Sequence, residues 1–316
     1  MTTGKTVVLF PGQGSQYVGM GREFAEADPA AMGIFDLAEQ VCGKGLKKLC
    51  FDGPMEELTL AENLQPALTA VNLVCWQAVQ KAGVHVDFVA GHSLGEYAAL
   101  CAAGVMTIED ALRLVAHRGR VMGQAGARNP GGMVAILGLG LQEVQAILAE
   151  VNQPDSISIG NYNSEQQLVL SGATAALATA TDLALAKGGK AVPLNVSIAN
   201  HSPLMGSAVT EFEQVFAGVA LSRPAIPILF NVTAQSEVDP DDIRGVMSRQ
   251  IVSMVRWQEI IASLIASGVQ TFIEVGPKKV LSGLLKRALP KGGGHRSFQI
   301  DSPETLAQCL ADLVGG

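Results

Sequence analysis

The sequence predicts an α/β protein: a hydrolase-like large domain on a mainly parallel sheet, with a ferredoxin-like small subdomain inserted into it. Three observations carry this. Short β-branched runs bounded by Gly or Pro alternate with longer Ala- and Leu-rich segments of helical period, the pattern of strands joined by crossover helices. After Asn129-Pro130-Gly131-Gly132 the elements become short and follow the order β-α-β-β-α-β, the split βαβ arrangement. Finally, Gly91-His92-Ser93-Leu94-Gly95 lies between an apolar strand and a helix, where a sharp strand-to-helix turn exposes a serine.

In chain order, Thr6–Phe10 reads as the first strand, ended by Pro11-Gly12, and Asn63–Lys81 as a helix with Leu64, Leu68, Val71, Cys75 and Val79 on its apolar positions. Val86–Ala90 is a buried strand and Leu94–Ala103 a helix rich in small residues. Thr107 and Asp110 open a further helix to about Gln124, in the manner of a capping box. The insert reads as strand Met133–Gly138, helix Gln142–Val151, strands Ser156–Tyr162 and Gln167–Ser171, helix Ala173–Lys187 and strand Lys190–Asn195. A helix near Leu204–Ala217 and a strand Ile226–Phe230 come next, then one helical stretch at about 242–266. Strand Thr271–Val275 and helix Val280–Ala288 follow, and the tail 291–316 says little. The expected domains are 1–129 with 198–316, and the insert 130–197.

Composition removes several function classes. With 48% apolar and 16% charged residues, the chain can bury a core and is not disordered. A net charge of −7 and the lack of a basic stripe argue against nucleic acid. Lys278, Lys279, Lys286 and Arg287 form either a local basic patch or a solvated helix face. The five cysteines follow neither a C-x-x-C pattern nor metal-ligand spacing, so they read as reduced thiols, with no metal and no cofactor implied. The apolar run Thr6–Phe10 is too short for a signal peptide, and the longest uncharged stretches contain Asn, Gln and Pro. The expected setting is therefore cytoplasmic, away from membranes.

Glycines flanking Ser93 permit the turn, which aims the N–H of Leu94 and a helix N-terminus at charge developing on attack. Such a serine needs a base. His92 diverges from its neighbour on a turn of this kind, and His85, His117 and His295 are poorly placed. His201 remains, at a loop before a helix, with a capping or surface histidine as the alternative. Pro11-Gly12-Gln13-Gly14-Ser15-Gln16 follows the first strand but lacks the third glycine of a dinucleotide loop and the G-K-[ST] of a phosphate loop. Gln13, or its N–H, could instead serve beside Leu94. Arg118 falls on or beside the buried face of its helix and needs an anion: either a ligand carboxylate or a protein carboxylate in an internal salt bridge.

These motifs, in order, resemble the malonyl-CoA:acyl-carrier-protein transacylases, whose domain also occurs in polyketide synthases. The resemblance runs from Phe10–Gln16 through Gly91–Tyr97, Arg118-Gly119, Asn161-Tyr162-Asn163-Ser164, His201–Met205 and Arg249-Gln250 to Glu274–Pro277. It implies Ser93 as nucleophile, His201 as its base, Gln13 and Leu94 N–H groups as oxyanion hole, and Arg118 as clamp for the malonyl carboxylate. It also implies a backbone carbonyl near Gln250 that orients the imidazole, with Gln250, Asn163, Met122 and Asn200 as supporting residues. The implied substrates are malonyl-CoA and a phosphopantetheine-bearing acyl carrier protein, handled by a monomer. Asn200 stands where malonyl-selective members often carry Phe or Ser, which leaves another extender unit as an alternative. An acyl hydrolase and a non-catalytic carrier-docking module are the other rivals.

Overall fold

The computed structural model describes residues 4–196, 198–289 and 292–315. Its strands are β1 (Lys5–Phe10), β2 (Phe88–Gly91), β3 (Gly131–Leu137), β4 (Ile157–Ser164), β5 (Gln167–Ala173), β6 (Lys190–Pro193), β7 (Ile228–Leu229), β8 (Val269–Val275) and β9 (Arg296–Ile300). Five of them form a sheet in the order β7-β2-β1-β8-β9, every neighbouring pair parallel. The other four form a separate antiparallel sheet in the order β4-β5-β3-β6. Strands β3 and β4 are joined by the helix Leu141–Val151, and β5 and β6 by Thr174–Ala186, which completes the ferredoxin-like order read from sequence.

A parallel sheet must be covered on both faces. Val8 and Phe10 point into one core with the helix Ala61–Lys81, which is buried on nearly every side. Val7 and Leu9 point into the opposite core with Trp257, Ile260 and Leu264 of the helix Trp257–Ala266. The small sheet buries one face under Val144, Ile147, Leu177 and Ala180. None of the described helices is long and apolar enough to cross a membrane.

Several elements depart from expectation. The stretch at 242–266 is not one helix: it breaks into Pro240–Ser248, a 3-10 turn Gln250–Val252 and Trp257–Ala266. An unbroken helix would keep the carbonyl of residue 250 in its own ladder, whereas here that oxygen is turned out toward His201. The strand expected at Ile226–Phe230 shrinks to Ile228–Leu229, with Pro227 unable to donate to a ladder. Strand β6 stops at Pro193, two residues early. The tail supplies β9 and the helix Pro303–Gly315. Residues 22–59 fold into four helices that the sequence reading did not assign; three are short, while Pro29–Cys42 buries Ala31, Ile34, Phe35 and Ala38 at helical spacing. The helix after Thr107 runs to Arg128, its first turn closed by Asp110 N–H donating to Thr107 Oγ1. The expected end of the insert falls on Ser197, outside the described residues.

Candidate active site

Strand β2 delivers the chain to Gly91, and the helix Gly95–Ala102 carries it away. Between them Ser93 has φ 51°, a left-handed conformation that costs a non-glycine residue energy and is kept only where the surroundings enforce it. Close approach explains the flanking glycines. A Cβ on Gly95 would lie 2.1 Å from the Phe10 carbonyl oxygen. Replacement of Gly95 by Ala must therefore displace the turn from β1. The expected loss is on the order of 3 kcal/mol or more, measured by urea unfolding.

The enforcement comes from Asn231, just beyond β7. Its Oδ1 accepts from Ser93 N–H at 2.7 Å, and its Nδ2 donates to the Gly91 carbonyl at 2.7 Å. Its own N–H donates to Glu96 Oε1 at 2.6 Å. The turn is thus held from outside by the buried Asn231 amide, with Gln250 Nε2 donating in addition to the Ser93 carbonyl.

Ser93 Oγ lies 2.6 Å from His201 Nε2. On the far side of the ring, Nδ1 donates to the carbonyls of Gln250 and Ser253, each at 3.0 Å. Two carbonyl acceptors fix the proton on Nδ1, so Nε2 is the free lone pair facing the serine. Burial, with the Arg118 cation nearby, lowers the His201 pKa to about 3. The ring is therefore neutral at physiological pH and able to take a proton. Because the folded value lies below the ordinary 6.5, this histidine contributes stability that is present above about pH 6.5 and is lost as pH falls toward 3. Melting curves between pH 7 and 4 should fall more steeply for the native protein than for His201→Ala.

The other four histidines are engaged elsewhere. His92 Nε2 donates to Asn163 Oδ1 at 2.9 Å, and its ring meets Trp257 edge-on. His117 bonds the Glu211 carbonyl, His85 faces Asp87, and His295 packs near Phe272.

Gln13, Ser93, Leu94, Arg118, Met122, Asn200 and His201 all line one inner cavity of about 80 Å³. It shares Gln13 and Val196 with two wider grooves of about 760 and 440 Å³, which are approaches rather than the seat of the serine. Gly12 brings the Gln13 loop against the turn: a Cβ there would sit 2.4 Å from the His92 carbonyl oxygen and 3.6 Å from Leu94 N. Asn163 lies in the outer groove, one step removed behind His92. Gln250 is buried behind the cavity wall.

Arg118 is 2% exposed and forms no salt bridge among the described residues. The internal carboxylate partner that the sequence left open is therefore not there. Its NH1 donates to Gln65 Oε1 at 3.0 Å and its NH2 to Gln250 Oε1 at 3.1 Å, while its plane lies over the Tyr97 ring. Gln65 in turn donates to Met122 Sδ. A buried cation held by neutral amide oxygens can pair strongly with an anion brought into the cavity.

Glu96 is buried as completely as Arg118. Burial raises its carboxyl above the ordinary range, while Gln250, the Asn231 N–H and Arg118 pull it back toward the ionised form. Both oxygens receive N–H donors, and neither of those partners offers an acceptor for a carboxyl proton. The hydrogen bonding is that of the ionised form.

Sequence reading missed Asn231, Glu96 and Gln65 as parts of this site. A charged residue among Tyr97, Ala98 and Ala99 in a buried helix was the available signal for Glu96. Asn231 and Gln65 gave none.

The sequence and the fold have close counterparts. The model of the acyl transferase domain matches residues 7–302. The malonyl CoA-acyl carrier protein transacylase of Bacillus subtilis (strain 168) is 39% identical over 311 residues, covering 98% of this chain and 97% of that one. Among solved structures, a type II PKS acyl-carrier protein in complex with its malonyl-transacylase superposes with a TM-score of 0.92 at 35% identity, covering 98% and 99% of the two chains. An acyl carrier protein S-malonyltransferase from Vibrio cholerae gives 0.91 at 37% identity, covering 96% and 99%. With this fold and these matches over nearly its whole length, the chain belongs to the acyl transferase family, among the malonyl CoA-acyl carrier protein transacylases.

Proposed function

We propose that this protein transfers the malonyl group from malonyl-CoA to the phosphopantetheine thiol of an acyl carrier protein, by way of an ester on Ser93. The observation that carries the reading is the pairing of Ser93 Oγ with His201 Nε2 at 2.6 Å in a cavity that also holds a buried arginine without a protein carboxylate.

As Ser93 Oγ attacks the thioester carbonyl, His201 Nε2 takes its proton. The imidazolium is stabilised by the Gln250 and Ser253 carbonyls, in place of the acid of a triad. Charge on the carbonyl oxygen is received by the N–H groups of Gln13 and Leu94. The C–S bond then breaks, and His201 returns the proton to the leaving CoA thiolate. The carrier thiol repeats the sequence in reverse, losing its proton to His201 and taking the acyl group. Arg118 pairs with the free carboxylate throughout and holds the ester in place for a thiol rather than water.

Residues 130–197 act as one inserted unit that supplies Asn161, Leu194 and Val196 to the cavity and grooves. The exposed Lys278 and Lys279, next in the chain to Val280 of the outer groove, suit an acidic carrier. The setting is the cytoplasm.

Intact-mass spectrometry after mixing with malonyl-CoA tests the reading. A malonyl adduct on Ser93 that moves to holo carrier protein is expected. Release as free malonate would indicate a hydrolase, and no adduct would reject the transfer. Asn200, on the cavity wall, makes methylmalonyl-CoA the natural competitor to include.

A further inference from the structure

Glu96 opens the helix after Ser93 and does not line the cavity, yet its carboxylate touches both halves of the site. Oε2 accepts from Gln250 Nε2 at 2.5 Å, and Oε1 accepts from Asn231 N–H at 2.6 Å. The same Gln250 Nε2 donates to the Ser93 carbonyl at 2.9 Å, and Gln250 Oε1 accepts from Arg118. These contacts fix which way the amide faces. Turned by half a revolution, it would set an oxygen against Ser93 O and Glu96 Oε2, and an NH2 against Arg118 NH2.

We infer that Glu96 is a positioning residue for the acyl carboxylate: it locks the Gln250 amide so that its oxygen holds Arg118, and through Asn231 it ties that lock to the Ser93 turn. The inference rests on the reading that Arg118 receives the malonyl carboxylate. A carboxylate is required because both oxygens must accept. A glutamine at 96 can satisfy Asn231 N–H with its one oxygen, but then points an NH2 at the NH2 of Gln250. Gln250 must rotate, and Arg118 loses an acceptor and faces a donor. The consequence is specific to substrates that carry a free carboxylate, since an acetyl group asks nothing of Arg118.

The test measures single-turnover acylation of Ser93 by malonyl-CoA and by acetyl-CoA, for Glu96→Gln in the native and Arg118→Ala backgrounds. Glu96→Gln is expected to slow malonyl acylation about ten-fold more than acetyl acylation, and this differential should vanish in the Arg118→Ala background. Equal losses for the two acyl groups, or a differential that survives Arg118→Ala, would overturn the inference. If Glu96→Gln shows no melting transition, Gln250→Leu reads the same link while leaving the Glu96–Asn231 contact in place. It must give the same differential, and equal losses there overturn the inference too. The native protein separates the two readings. Absence of a malonyl adduct on native Ser93 rejects the transferase reading itself, whereas a normal adduct with equal losses rejects only the role of Glu96.

Discussion

His201→Ala is expected to slow acylation of Ser93 by about 10³- to 10⁴-fold, the upper range for loss of a positioned general base. The size follows from the geometry. The Nε2 lone pair is 2.6 Å from the serine oxygen, and the two carbonyls behind Nδ1 leave the ring one competent tautomer. No second histidine can take over, because His92 is committed to Asn163. Rapid-quench acylation followed by intact-mass analysis checks the rate. The variant should still bind malonyl-CoA, since the arginine and the N–H groups of the cavity are untouched. A loss confined to KM would contradict the assignment of His201 as base.

Arg118→Ala should lower malonyl transfer by about 10²-fold or more while leaving acetyl transfer within a few-fold, because only the malonyl group brings a carboxylate for two charge-assisted hydrogen bonds. Arg118→Lys should not restore the rate, since a point charge cannot make the forked contact. The stability effect runs the other way. A desolvated guanidinium held by two amide oxygens and the Tyr97 ring, with no salt bridge among the described residues, is costly to bury, so Arg118→Met is expected to leave the melting temperature unchanged or to raise it. Acyl-specific rates measured beside thermal melts check both halves. Equal slowing of both acyl groups would show that the arginine shapes the cavity without reading the carboxylate.

How far the site could be read from sequence depended on whether its chemistry was local. The turn at Ser93 announces itself because strand, glycines and helix are consecutive. The insert is legible because its short elements repeat a known order. Arg118 could be placed on a buried face by helical period, but its partners could not: Gln65 and Gln250 lie on other segments and are neutral. Asn231 stands 138 residues from the serine whose N–H it caps, so no spacing rule connects them. The helical stretch expected at 242–266 failed for a related reason. Its apolar period is real on either side, but the backbone between is turned by hydrogen bonds to His201 and to the small sheet, which no local propensity encodes. Of the four helices at 22–59, three are too brief for a period to register, whereas Pro29–Cys42 carries one in Ala31, Ile34, Phe35 and Ala38 and was legible.

That broken segment has a consequence for how the protein can be recombined. Val255 pairs with β4 of the small sheet, its N–H donating to the Gly160 carbonyl and its carbonyl accepting from Tyr162 N–H, both at 2.8 Å. A few residues earlier, the Ile251 carbonyl accepts from His201 N–H at 3.1 Å. From the other side, Ser158 of the same strand donates to the His201 carbonyl and Ser171 of β5 to that of Asn200. The insert is therefore stitched to the segment 249–256, and the imidazole hangs in the seam. Grafting the insert from a relative is not a loop exchange: the donor's counterpart of 249–256 must travel with it, or the ring is left suspended between mismatched halves. Chimeras for altered acyl choice should be cut outside both segments, with the seam kept as one inheritance.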